Sequence, residues 1–292
     1  MHQYLRAIGF DTNIKRSDEM ELVGRLINEK DEKIILSTDE DGISHSVYIK
    51  HVAPECGVVL VGHNVGDHFM VEYYYPYSKY PYMTSQKNCK ITKMSDNERY
   101  MASCEDSRFG INAIFYLSNF IDIFKYKIPL DEEVKVRCLS LSALAKSARI
   151  ISPIDKAPEV EKEMLDRRTK RVNLVERAQD GDDEAFEQLT SEEMKLYQRV
   201  NHRVWESDLY SVVDSFFMPS GMECDQYCVM GQITDIEEHV NSVTGRRFYR
   251  FNIKTNNDMR MAVTVAAADV TGEPKTGRRI KCDVWLQGEI EF

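Results

Sequence analysis

The chain has 292 residues, 42% of them hydrophobic and 29% charged, with a formal net charge of −10. That composition suits ordinary folded cores, and the length suits two units with a connector. The negative balance opposes long-range attraction to phosphate backbones and anionic membranes, which leaves room only for a local basic groove.

The opening MHQYLRAIGF contains no apolar run of signal-peptide length. The longest apolar-rich stretch, 111–124, is broken by Asn112, Ser118, Asn119 and Asp122. It is too short and too polar for a bilayer span, which needs about 20 apolar residues. The seven cysteines are scattered and odd in number, which reads as reduced thiols in a cytoplasm rather than a disulfide framework.

Residues 1–151 read as an α+β unit. A helix is expected over Ser17–Glu29, with Asp18 as its cap and Met20, Val23, Leu26 and Ile27 on one face. Strands are expected at Ile34–Leu36, Ile43–Ile49, Val58–Val61 and Phe69–Tyr75. Cys89–Met94 and Tyr100–Cys104 should form an antiparallel pair. Gly110–Phe124 has helical period, with Ile114, Leu117, Ile121 and Phe124 in one wide stripe, and is predicted as a buried helix. Val134–Leu141 should close the unit as a strand.

Residues 152–206 read as a helical connector. Glu159–Gln179 is dense in charge, Asp180-Gly181-Asp182 stops one helix and caps the next over Asp183–Leu189, and Thr190–Glu193 forms a capping box.

Residues 207–292 read as all β. The segments 209–217, 227–233, 249–253 and 259–265 are strand-like, and Ile280, Cys282, Val284, Leu286, Gly288, Ile290 and Phe292 hold one phase to the last residue. Gly231 and Gly288 are the expected bends. A small antiparallel barrel of OB-like type is the predicted architecture.

Two surfaces emerge as candidate binding sites. Arg246, Arg247, Phe248, Tyr249 and Arg250 alternate cations with rings on one hairpin, the combination by which OB-type barrels hold single-stranded nucleic acid. Tyr74, Tyr75, Tyr77 and Tyr80 belong to a tyrosine-dense segment suited to a protein partner. His63, Asp67 and His68 lie close in sequence, with His45 and His51 upstream, but without a familiar ligand spacing. They read as surface histidines, and no metal or cofactor is expected. Cys224 and Cys228 read as apolar-packed thiols. No nucleophile elbow, Walker loop or dinucleotide fingerprint is present, so no catalytic residue is assigned.

Two resemblances accompany these readings. Residues 178–189 resemble the opening of extracytoplasmic-function sigma factors over that dozen positions alone, and a capped helix–turn–helix of generic sequence accounts for them better. A broader similarity rests on Leu5-Arg6-Ala7-Ile8-Gly9-Phe10 after His2, on Ile114-Phe115-Tyr116-Leu117 with Asn119, and on Gly181-Asp182 through Thr190. It continues in Met218-Pro219, Glu223-Cys224-Asp225-Gln226-Tyr227, Gly272-Glu273-Pro274 and Trp285-Leu286-Gln287-Gly288. Together these resemble a clostridial protein family of unknown function across the whole chain. That resemblance implies a cytoplasmic bacterial protein without cofactor. The expected role is a non-enzymatic binding or adaptor protein. Single-stranded nucleic-acid binding through the barrel and an enzyme of unrecognised type in the first unit are the alternatives.

Overall fold

A computed structural model describes residues 1–38, 42–66, 68–94, 99–153, 213–255 and 257–292, with scattered residues between 170 and 191. The described chain is mostly strand with few helices. Four strands form an antiparallel meander in chain order: β1 (Glu32–Thr38), β2 (Ser44–Ala53), β3 (Cys56–Val65) and β4 (His68–Ser78). Helix α1 (Arg16–Asn28) packs against it through Leu26, and the Tyr74 hydroxyl donates to Glu19. Asp18 lies inside the first turn of α1, and no side chain caps the helix.

The second sheet has eleven strands among the described residues. They are β5 (Cys89–Lys93), β6 (Tyr100–Glu105), β7 (Asn112–Leu117), β8 (Glu133–Val134) and β9 (Cys138–Ile151). After the connector come β10 (Phe216–Pro219), β11 (Gln226–Val240), β12 (Arg247–Lys254), β13 (Arg260–Ala266), β14 (Val270–Thr271) and β15 (Arg279–Glu291). The order is β10-β11-β12-β13-β9-β15-β7-β6-β5-β8, with β14 beside β9. β9 therefore lies between β13 and β15, so pairing runs across the expected boundary between residues 151 and 207.

β11 also pairs with β15, so β11, β12, β13, β9 and β15 make a closed circuit of five strands. Within it only β13–β9 is parallel. Within the circuit β11 divides by length: Gln226–Gln232 faces β15 and Gln232–Val240 faces β12, while β10 pairs with Tyr227–Met230 outside it. Gly231 stands at that change-over, where an added Cβ would come 3.0 Å from the Lys254 carbonyl oxygen. In β15, Ile280, Cys282, Val284, Leu286, Gly288 and Ile290 are all buried, in the phase that the sequence shows.

The meander and the large sheet meet along a seam where Ser78, Ser142, Thr264 and Gln287 are buried and hydrogen-bonded. The Ser78 amide donates to Gln287 Oε1 at 3.2 Å, and Gln287 Nε2 donates to the Pro76 carbonyl at 2.8 Å. The Ser142 hydroxyl donates to the Ser78 carbonyl, and the Ser78 and Thr264 hydroxyls are 2.7 Å apart. A short 3-10 helix, Gln3–Ile8, buries Leu5 and Ile8 beside the β11–β12 hairpin, where Asn241 Nδ2 donates to the Ile8 carbonyl at 2.7 Å.

The predicted helix over Gly110–Phe124 is corrected. Its first half is β7, between β6 and β15, and only Ile121–Tyr126 is helical, as α2. Ala113, Phe115 and Leu117 are fully buried and Tyr116 nearly so. A strand covered on both faces is apolar without alternation, and a short apolar run of that kind looks the same as a wide helical stripe. The strand expected over Val134–Leu141 is two: β8 pairs with β5, and the long β9 joins the circuit. Most of the connector helices lie outside the described residues. Asp182 does cap, with Oδ1 accepting from the amides of Glu184 and Ala185 at 3.1 Å. Among the described residues, no helix is long and apolar enough to cross a membrane.

Candidate functional site

Alternation along β4 sends Tyr73, Tyr75 and Tyr77 to the face that meets the large sheet, and all three are buried. There Tyr75, with Tyr73 stacked beside it, meets Tyr116 of β7 and Trp285 of β15. With His2, Tyr4, Arg99, Met101 and the loop before β11, these side chains line a cavity of about 510 Å³. That volume lies in the range of pockets for small ligands.

Trp285 is the hub. Its ring is 4.8 Å from His2, 5.1 Å from Tyr116 and 6.5 Å from Tyr75, and Tyr4 stacks on it at 5.5 Å. Tyr75 and Tyr116 meet at 4.8 Å with their planes 64° apart. Such offset and edge-on arrangements are the favourable ones for rings. The Trp285 indole N–H donates to Asp225 Oδ2 at 2.7 Å, and the Leu286 amide donates to the Asp225 carbonyl at 2.8 Å.

Three polar atoms of the wall residues are buried with no hydrogen bond of standard geometry among the described residues: His2 Nδ1, Tyr75 Oη and Tyr116 Oη. Buried polar groups in folded proteins are nearly always satisfied, so these three stand out among the described residues. Burial, with Arg99 next in effect, pushes the His2 imidazole down to about 4, so it is neutral at pH 7. Burial holds the Tyr75 and Tyr116 hydroxyls well above the usual range, so both remain protonated donors. Burial raises the Asp225 carboxyl as well. Among the described residues, the charged side chains of the wall are one guanidinium, Arg99, which lies over the Tyr73 ring at 5.0 Å, and the carboxyl groups of Glu223 and Asp225. Its one thiol, Cys224, is exposed, and burial together with Asp225 raises its pKa.

The sequence-predicted residues fall differently from one another. Tyr74 and Tyr75 line the cavity, whereas Tyr77 and Tyr80 are buried elsewhere, with Tyr77 Oη 2.6 Å from His51 Nδ1. On the hairpin, Phe248 is wholly buried. Arg250 is buried too, 2.5 Å from Glu237 and donating to the Pro54 carbonyl. Arg246, Arg247 and Tyr249 line a second cavity of about 550 Å³ with Arg6 and residues 266–269. Both of those arginines already pair with carboxylates at 3.0 Å, Arg246 with Asp11 and Arg247 with Glu238. Asp67 lies outside the described residues, and His68 is exposed at the start of β4.

Sequence reasoning missed His2, Tyr4, Tyr116 and the Asp225–Trp285 pair as members of one site. They come from four separate stretches of chain, and only the tyrosine alternation in β4 signalled a shared face.

The family model described as "Domain of unknown function, E. rectale Gene description (DUF3881)" matches residues 5–288. No curated protein and no solved structure matches the chain. The match spans the residues on which the clostridial resemblance rests, His2 excepted, and the chain belongs to the DUF3881 family, a domain of unknown function.

Proposed function

We propose that this is a cytoplasmic, non-enzymatic binding protein whose ligand is a small planar heteroaromatic molecule, held in the Trp285 cavity. The observation that carries the reading is a space of about 510 Å³ walled by the rings of His2, Tyr4, Tyr73, Tyr75, Tyr116 and Trp285, with the polar atoms His2 Nδ1, Tyr75 Oη and Tyr116 Oη buried just behind it. Rings supply flat contact area, and the hydroxyls and imidazole supply neutral hydrogen bonds. Two carboxylates against one guanidinium disfavour a phosphate-bearing ligand. The raised pKa of Cys224 keeps its thiol protonated, which argues against a thiolate nucleophile there. The burial of Tyr75, Tyr77 and Tyr80 turns the reading from a protein partner toward a small molecule.

Native mass spectrometry of the chain recovered from its own cells tests this. The expected result is a stoichiometric small adduct, lost on acid denaturation and diminished in a Tyr75→Phe, Tyr116→Phe double variant. Recovery of bare chain only, with no small molecule restoring an adduct, would sink the reading.

The finer fold reading is an OB-like barrel formed by the five-strand circuit, with β9 entering first in the chain although it completes the ring. One parallel pair in an otherwise antiparallel Greek-key closure supports it. The alternative function, single-stranded nucleic-acid binding, draws on this shape and on the cavity that Arg246, Arg247 and Tyr249 line. A labelled oligonucleotide that binds no more weakly to an Arg246→Ala, Arg247→Ala variant would reject that surface.

A further inference from the structure

We propose that His45, His63 and Glu72 bind one divalent transition-metal ion of the zinc class. This site is separate from the Trp285 cavity and does not depend on it.

Strand register makes the site. His45 of β2 and His63 of β3 are directly opposite one another, and their rings are 6.0 Å apart. Opposed residues on neighbouring strands hold their Cβ atoms about 5 Å apart, so two imidazoles there reach a common point. Glu72 arrives by a different device. Val61 faces Tyr73 and Gly62 faces Val71, so Glu72 is the extra residue of a bulge in β4. A bulge re-aims a side chain that strict alternation would send elsewhere. Gly62 permits it, because an added Cβ there would lie 2.0 Å from the Met70 carbonyl oxygen. The result is Glu72 Oε1 at 3.0 Å from His63 Nδ1.

One ligand atom from each of the three residues lies within 4.8 Å of the others. An ion about 2.0–2.2 Å from each needs those atoms somewhat closer. The partly exposed side chains can close that gap by small rotations. Two imidazoles and one carboxylate suit zinc, cobalt, nickel or copper and not magnesium or calcium, which prefer all-oxygen sets. Three protein ligands leave a coordination position open to water or to a small ligand.

The test is titration of the full chain with zinc chloride, competed against a chromophoric chelator, and with cobalt chloride read by visible absorbance. The expected result is one ion per chain, with a cobalt spectrum of low coordination number. His45→Ala and His63→Ala should each weaken binding at least tenfold, and Glu72→Gln by a smaller factor. His68→Ala, on a neighbouring exposed histidine, should change nothing. Where a variant loses its far-UV circular dichroism, protection of His45 and His63 from diethylpyrocarbonate by zinc in the unaltered chain replaces it. Absence of saturable binding, binding indifferent to His45→Ala and His63→Ala, or equal modification with and without zinc would each overturn the proposal.

Discussion

The indole N–H of Trp285 donates to the carboxylate of Asp225 at 2.7 Å, with both side chains buried. This bond ties the loop before β11 to β15, and β15 runs through the centre of the large sheet. Asp225→Ala should therefore do more than remove a contact. It strands the indole donor, which costs about 1–3 kcal/mol for a buried polar group. Urea unfolding should show a lower midpoint for Asp225→Ala than for Asp225→Asn, which keeps an acceptor in place.

The same carboxyl gives a pH dependence. Burial raises its pKa in the folded chain, so the folded state holds this proton more tightly than the unfolded state. Its contribution to stability therefore falls as pH rises from the ordinary carboxylate range through the raised value. Asp225→Asn removes that dependence. Unfolding free energies over pH 4 to 8, compared between the two proteins, should diverge in favour of Asn as pH rises, and parallel curves would contradict the assignment.

His2 works in the opposite direction. Its pKa is lowered to about 4 from an ordinary 6.5, chiefly by burial. The unfolded chain then binds the proton first, so this contribution is full above 6.5 and is lost as pH falls toward 4. In a histidine NMR titration, the His2 ring should stay neutral until about pH 4, while a ring that titrates near 6.5 would place it in solvent.

Gly288 has no room for a side chain. An added Cβ would lie 2.5 Å from two ring carbons of Phe115 and 3.2 Å from Leu141, and both side chains are fully buried. Gly288→Ala should cost about 1–3 kcal/mol through forced repacking. Calorimetry would show this as a lower Tm, and an unchanged Tm would mean that β7 and β15 are not in this register.

Cys224 reports on the cavity. It is the one exposed cysteine among the seven, and it lies in the cavity wall. Iodoacetamide should modify it first, slowly at neutral pH because its pKa is raised. A bound ligand should slow that reaction further, with the other thiols unaffected.

Local pattern carried part of this fold into view. The single phase from Ile280 to Ile290 is visible because β15 keeps one face in the core along its whole length. The pairing that opposes Cys89 to Cys104 is visible because two strand-like runs flank a polar stretch of sequence; that stretch, 95–98, lies outside the described residues. β7 is misread because burial on both faces erases alternation. The pairing of β9 with β13 and β15 is out of reach, since it joins segments more than a hundred residues apart and leaves no periodic trace. The site behaves in the same way. The tyrosines of β4 are conspicuous, yet nothing local says that Tyr75 will meet Tyr116 and Trp285. The approach of Glu72 to His63 depends on a bulge, and one inserted residue is not marked by composition.

The most direct measurement of the central claim is a fluorescence titration of Trp285. The chain has two tryptophans, so Trp205→Phe isolates the signal. A panel of small planar heteroaromatics is titrated beside their phosphorylated counterparts. The expected result is saturable quenching by at least one unphosphorylated member, weaker quenching by its phosphorylated form, and loss of affinity in the Tyr75→Phe, Tyr116→Phe double variant. An indole signal indifferent to the whole panel, or affinity unchanged in the double variant, would contradict it.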